Sequence, residues 1–293
     1  MQEGRQVMKA SEDLSGLKLS VAVYIAVFAL KLAVFFVSGV MVLLAEALHT
    51  LSDIIISVFL LAASVWSRKQ PDAFHMYGHG RAQNVAALVA ATLFISVTSL
   101  RLYEEAIPRL WREAPGEHRN LYLVLGVIVF SMILACAPLL QLLKSKARGA
   151  AAKAQLMELV NDQLGLLAAL LGTLFVMGGY PIADPLAAIV VATIIAMNAA
   201  GLMRDNWSFL MGRSPDADVL AEIEHRARSV EGVLGVHSMR AEYVGQETVC
   251  AGLHIVVKRG LAIEQADRIA EQVSHRLREG MPRCEAVIHM DPS

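Results

Sequence analysis

The 293 residues are 56% hydrophobic and 18% charged, with a mean hydropathy of +0.51 and a formal net charge of -1. An average soluble domain is nearer half apolar and a quarter charged, and here the excess is uneven: long apolar runs reach to about Asn206, and ordinary composition follows from Ser208. A disordered chain, a small disulfide scaffold and a nucleic-acid binder with a large basic surface are thereby excluded. Roughly 20 mainly apolar residues cross the hydrocarbon core as a helix. Six stretches suffice, at about 17–40, 42–66, 82–103, 121–143, 156–177 and 182–203. The polar start and the lack of a small-residue cleavage site predict that the first run stays as a span. Gly39 and the run Gly178-Gly179-Tyr180-Pro181 mark tight turns after the first and fifth spans.

Basic residues set the orientation. Arg5, Lys9, Lys18, Arg68, Lys69, Arg81, Lys144, Lys146, Arg148 and Lys153 flank one side, against Arg109, Arg112 and Arg119 on the other. Both termini are therefore expected in the cytoplasm. Three cysteines, Cys136, Cys250 and Cys284, form no C-x-x-C pair, which suits a reducing compartment for the tail.

Polar residues inside spans are costly unless paired or solvated. His49 and Asp53 in the second span are i and i+4, so they share a helix face; Glu158 and Asp162 repeat that spacing in the fifth. Such facing pairs supply N and O ligands for one divalent cation. A hydrogen-bonded pair that merely joins two helices is the plainer reading. An unpaired Asp beside an unpaired Glu would nevertheless repel unless a cation or proton sat between them. Glu46 shares the His49 face as a supporting or outer carboxylate, Lys31 is expected to snorkel or pair with a carboxylate, and Asp184 before Pro185 suits a helix start. In the second connection, Asp72, His75 and His79 have an Asp-x2-His-x3-His spacing in a Gly-containing loop. They suit either one zinc-like ion or a polar loop near headgroups.

From Asp216 the pattern alternates differently. Helices are expected at 216–230 and 263–279, with strands at 233–244, 248–258 and 286–290 and a hairpin at Gly245-Gln246-Glu247. The order αββαβ is a trimmed ferredoxin-like unit. His237, His254 and His289 fall on strands with Asp291 close behind, as outward-facing or metal-binding residues, while His225 and His275 fall on helices as surface.

The motif Pro71-Asp72…His75…Tyr77-Gly78-His79-Gly80-Arg81, after a span with Ala45-Glu46-Ala47-Leu48-His49-x3-Asp53, resembles the cation diffusion facilitator family. The junction Leu210-Met211-Gly212-Arg213-Ser214-Pro215 and the end Ile288-His289-Met290-Asp291-Pro292 are similar to it too. The resemblance implies a homodimeric divalent-metal transporter, many members exchanging Zn²⁺, Mn²⁺, Fe²⁺, Co²⁺ or Cd²⁺ for protons. It implies a six-span transmembrane α-helical bundle over residues 1–207. It also implies a cytoplasmic α+β ferredoxin-like, metallochaperone-like domain at 208–293 for regulation and dimerisation. It casts His49, Asp53, Glu158 and Asp162 as transport ligands, with Asn161 a substitute donor, and Asp72, His75 and His79 as a loop site. Regulatory ligands fall on His237, His254, His289 and Asp291, with Asp267 where relatives often place another His. Glu158 stands where relatives usually have His or Asp; three carboxylates and one imidazole make a harder site, which suits Mn²⁺ or Fe²⁺, although zinc leads by family frequency.

The expectation is thus a cation-efflux protein of the cell or inner membrane, not an enzyme. Its metal ions are substrate and regulator, and it needs no organic cofactor and no nucleic acid. Imidazole changes charge near neutral pH, so metal and proton would compete at the same atoms. The rival is a membrane-tethered metal sensor. An intramembrane metalloenzyme lacks its His-Glu-x-x-His marker.

Overall fold

The computed structural model describes residues 2–38, 41–111, 121–145, 149–178, 180, 182–245, 248–281 and 284–293. The chain divides into two compact units: residues 1–69 with 82–207, and residues 70–81 with 208–293. The connection between the second and third spans thus groups with the C-terminal residues.

The first unit is built of long helices: α1 Gln2–Ser38, α2 Met41–Trp66, α3 Ala82–Leu93 continuing through a π-helical segment Phe94–Ser99 into α4 Leu100–Arg109, α5 Leu121–Ser145, α6 Ala150–Met177 and α7 Ala183–Leu210. Among the described residues, Glu12–Val37, Ala47–Trp66, Ala82–Arg109, Leu125–Ser145 and Pro185–Leu210 are long and apolar enough to cross a membrane. The remaining expected span lies within α6, a 28-residue helix that carries Lys153, Glu158 and Asp162. Phe36, Ile55, Phe130, Ile133 and Met197 point outward, as apolar side chains do when lipid is the solvent.

Helices in lipid gain little from hiding apolar surface, so close packing of small residues holds them together. Ala86, Ala87, Ala90 and Ala91 of α3 meet Ala150, Ala151 and Ala154 of α6 in one cluster, joined by Leu60 and Ala63 of α2 and by Ala199 and Leu202 of α7. Buried polar groups add specific ties. Asn84 Nδ2 donates to Asn206 Oδ1 at 3.1 Å, and the amide of Gly149 donates to Asp13 Oδ2 at 2.9 Å. Lys31 does not snorkel: it is 5% exposed and donates to Thr50 Oγ1 at 2.9 Å, linking α1 to α2.

The third span was expected at about 82–103; the helix runs to Arg109 and widens into the π segment on the way. Ser and Thr hydroxyls compete with the helical ladder there. Thr92 bonds Leu88 O and Ser96 bonds Thr92 O, while Ser99 Oγ donates across to Ala192 O of α7 at 2.9 Å.

In the second unit the order is α8 Ala217–Arg228, β1 Val233–Tyr243, β2 Val249–Val257, α9 Ile263–Gly280 and β3 Cys284–Pro292. β2 is central, antiparallel to β1 and parallel to β3. A parallel neighbour needs a crossover, and α9 supplies it. Val249, Ala251, Leu253, Ile255 and Val257 alternate into a core with Ile223 and Ala227 of α8 and Val273 and Leu277 of α9. Each large side chain there contributes about 1.5–3 kcal/mol by burial. The even positions of β2, His254 among them, are thereby turned to the other face. The αββαβ ferredoxin-like arrangement is the expected one; Gln246 and Glu247 of the anticipated hairpin turn lie outside the described residues. Cys250 and Cys284, distant in sequence, stand on neighbouring strands one register step apart, and both are free thiols.

Gly232, between α8 and β1, has φ +93°, and a Cβ there would come within 2.8 Å of Ile269 Cδ1. Gly232→Ala combines backbone strain with a packing clash, and about 1–3 kcal/mol of destabilisation is expected. Hydrogen exchange of β1 and α9 peptides in the intact protein should quicken about tenfold or more; unchanged exchange would contradict this.

Candidate metal centres

α2 presents His49 and Asp53 one turn apart, and α6 presents Asp162 towards them. One ligand atom from each of the three lies within 4.8 Å of the others. Glu158 does not join this trio. It is 2% exposed on α6, accepts from Gln155 Nε2 at 3.4 Å, and feels the charges of Asp53 and Asp162. Among the described residues Glu158 Oε1 and both polar atoms of Asn161 have no hydrogen-bond partner. Buried polar atoms of this kind are uncommon and ask for an ion or water. The side chains of Glu46 and Asp184 lie outside the described residues.

Tyr24 of α1 belongs here as well, and sequence reasoning missed it. Its hydroxyl donates to Asp162 Oδ2. The signal was a phenol in mid-span, where a buried hydroxyl needs a partner.

The loop brings its three residues together as their spacing suggested. Asp72 Oδ1 accepts the amides of Phe74 at 3.0 Å and His75 at 2.8 Å, the side-chain-capped turn that aspartate favours. This curls the chain so that His75 Nδ1 lies 3.3 Å from Asp72 Oδ1 and His79 Nε2 lies 3.5 Å from Oδ2. The two imidazole rings stand 4.3 Å apart. Arg81 ends the loop by donating to Tyr243 O at 3.3 Å and pairing with Glu242 at 3.5 Å. The Tyr77 phenol is pushed above its ordinary value, first by the charge of Cys250 and then by their hydrogen bond.

The sheet aligns a third group. His237 pairs with His254 across β1–β2, and His254 pairs with His289 across β2–β3, so three imidazoles form one row over the strands. Asp291, two residues beyond His289, stands on the same face and gathers them. His254 Nδ1 lies 2.9 Å from its Oδ2, His237 Nε2 lies 3.1 Å from the same oxygen, and His289 Nε2 lies 3.3 Å from Oδ1. The ligand atoms of His237, His254 and Asp291 lie within 4.8 Å of one another; His289 adjoins that trio through Oδ1. A bulge after His237, with Ser238 at φ 50°, interrupts the ladder, which resumes at Arg240 opposite Gly252. The hydrogen bond from His254 first, and the charges of the three histidines after it, hold the Asp291 carboxyl below its ordinary range against desolvation. Asp267 lies apart on α9 beside Ile263, Glu264, Arg268 and Met290. His225 and His275 are exposed on their helices.

The described residues of these three groups offer imidazole nitrogens and carboxylate oxygens and no thiolate. That donor set suits zinc and neighbouring divalent first-row ions. Loss of a central ligand should be site-specific: Asp72→Ala is expected to weaken metal binding at the loop at least about tenfold. Metal-dependent protection of residues 70–81 from hydrogen exchange would read this, and unchanged protection would contradict it.

Comparison with known proteins gives two profile matches. "Cation efflux transmembrane domain" matches residues 17–211, and "Cation efflux protein, cytoplasmic domain" matches residues 215–293. The cation-efflux pump FieF of Shewanella oneidensis is 27% identical over 275 residues, covering 94% of this chain and 92% of that relative. The zinc transporter ZitB of Escherichia coli is 28% identical over 258 residues, covering 87% and 80% respectively. An uncharacterized transporter of Methanocaldococcus jannaschii is 27% identical and covers 93% and 96%.

Proposed function

The chain belongs to the cation efflux, or cation diffusion facilitator, family of integral membrane transporters, and on that footing we propose that it exports a divalent transition-metal ion, zinc first, in exchange for protons. One observation carries the reading. His49, Asp53 and Asp162 converge inside a helical bundle, where an anchor would not keep them. A relative named as a zinc transporter supports zinc as the first substrate, and one imidazole with carboxylates also accommodates harder ions.

In the inward-open form, Asp53, Asp162 and His49 lose protons and take the ion from the cytoplasm. A ligand must be deprotonated to hold the ion, so binding expels protons rather than adding to them. Reorientation exposes the trio to the other side, where water and protons replace the ion. Glu158, one turn away on α6, supplies a further carboxylate for the passing charge, with Asn161 beside it. The match to a cytoplasmic domain of the dimer-forming type indicates a homodimer. In our reading, metal on His237, His254, His289 and Asp291 reports cytoplasmic supply to the bundle, and the loop site of Asp72, His75 and His79 adds a second cytoplasmic station. Both termini face the cytoplasm and the bundle lies in the cell or inner membrane, a reading supported by the excess of basic residues in the loops on that side.

Purified protein in vesicles, challenged with a panel of divalent ions, tests the reading. Uptake of zinc by wild type is expected. If no ion moved while the tail still bound metal, the protein would be a membrane-tethered sensor instead.

A further inference from the structure

Tyr24 is buried in the first span, 4% exposed, and its hydroxyl donates a hydrogen bond to Asp162 Oδ2. Its ring packs with Leu142 of α5 and Ala152 and Leu159 of α6, with Ile54 of α2 alongside. Three helices therefore fix the ring, and the hydroxyl is set in one place. The charges of Asp162, Glu158 and Asp53 all act on it, so it stands amid the carboxylates of the transport site.

We propose that Tyr24 is a specificity-determining positioning residue: by holding Oδ2 it makes Asp162 meet the ion through one oxygen. This rests on the transport reading above and adds a reason for ion choice. A carboxylate can bind through one oxygen or two. Small ions in tetrahedral sites take few, short bonds and keep the second oxygen hydrogen-bonded to a neighbour. Larger, oxygen-seeking ions in six-coordinate shells gain from both oxygens. The Tyr24 bond thus favours zinc over manganese at a site whose carboxylates also accommodate harder ions. Asp162 is also kept on the His49 and Asp53 side by the same bond, which lowers the ordering needed when zinc arrives.

The test compares wild type, Tyr24→Phe and Tyr24→Gln in vesicles, with Zn²⁺ and Mn²⁺ measured separately and KM resolved from maximal rate. Tyr24→Phe is expected to raise KM for Zn²⁺ about tenfold, the effect of one hydrogen bond to a charged group. The maximal rate and the KM for Mn²⁺ should stay within about twofold, so preference shifts towards Mn²⁺. Tyr24→Gln, which keeps a donor, should recover part of the zinc preference. Equal losses for both ions, no change for either, or a Tyr24→Phe protein that unfolds about 10 °C earlier in detergent would each overturn the proposal, because the hydroxyl would then serve packing alone. Wild type moving neither ion would instead overturn the transport reading itself.

Discussion

Asp53→Asn should abolish metal transport and, at the same time, make the ion-free protein more stable. The two effects have one cause. Asp53 is 7% exposed and its ligand atom lies within 4.8 Å of those of Asp162 and His49, with the buried carboxyl of Glu158 close enough to feel its charge. Two carboxylates at that separation repel by on the order of 3–4 kcal/mol at an effective dielectric of about 20. A divalent ion between the two carboxylates relieves this repulsion. Asparagine keeps the shape and removes the charge, so thermal unfolding without metal should rise by about 2–5 °C. Transport should fall at least about 100-fold, beyond the loss that follows removal of a merely supporting partner. Added zinc, which stabilises wild type by binding the folded form, should no longer do so through this site. Thermal melts in detergent and vesicle uptake check both halves. A destabilised variant that still transports would contradict the assignment.

The second large effect is expected in the tail. Asp291 gathers three histidines, and its carboxyl is held below the ordinary range by the His254 hydrogen bond first. A carboxylate depressed on folding adds stability above its unfolded pKa, about 3.9, and loses it as pH falls through the lower folded value. Asp291→Asn is therefore expected to destabilise the metal-free tail near neutral pH, with the difference fading as pH falls from about 4 through the lower folded value. Metal binding should fall at least about tenfold, since an ionised oxygen at the centre of the row is lost. It should also weaken for wild type on acidification, because protons take the imidazole nitrogens. Hydrogen exchange of β1 and β3 peptides, with and without zinc across pH, reads all three. Equal zinc protection in the variant at neutral pH would sink this account.

How far these sites can be read without coordinates depends on what joins their residues. His49 and Asp53 share a helix turn, and so do Glu158 and Asp162; the 3.6-residue period makes such pairs visible in a string of letters. Asp72, His75 and His79 are joined by one short turn and are equally visible. The row of His237, His254 and His289 is different. Its members are brought level by an antiparallel and then a parallel register, and a slip of one residue would turn each ring to the opposite face. Resemblance marked these positions, but alternation alone left outward-facing and metal-binding readings equally open. Tyr24 escaped because an aromatic residue in an apolar run has many ordinary uses, and its partner Asp162 is 138 positions away. The convergence of α2 and α6 is legible as a pattern. The separation of Glu158 from the trio is not, since it depends on the relative rotation of two helices. The αββαβ order followed from alternation and turn residues, whereas the π segment in the third span interrupts an otherwise regular helix. The grouping of residues 70–81 with the tail is likewise beyond local pattern.

The central claim is that one ion and the protons it displaces share His49, Asp53 and Asp162. Zinc and internal pH should therefore be recorded together in vesicles, with wild type beside Asp162→Ala. Zinc uptake coupled to proton movement in the opposite direction, with both signals lost in the variant, is the result this account predicts. Zinc uptake at the wild-type rate in Asp162→Ala, or zinc uptake with no accompanying proton movement in wild type, would contradict it.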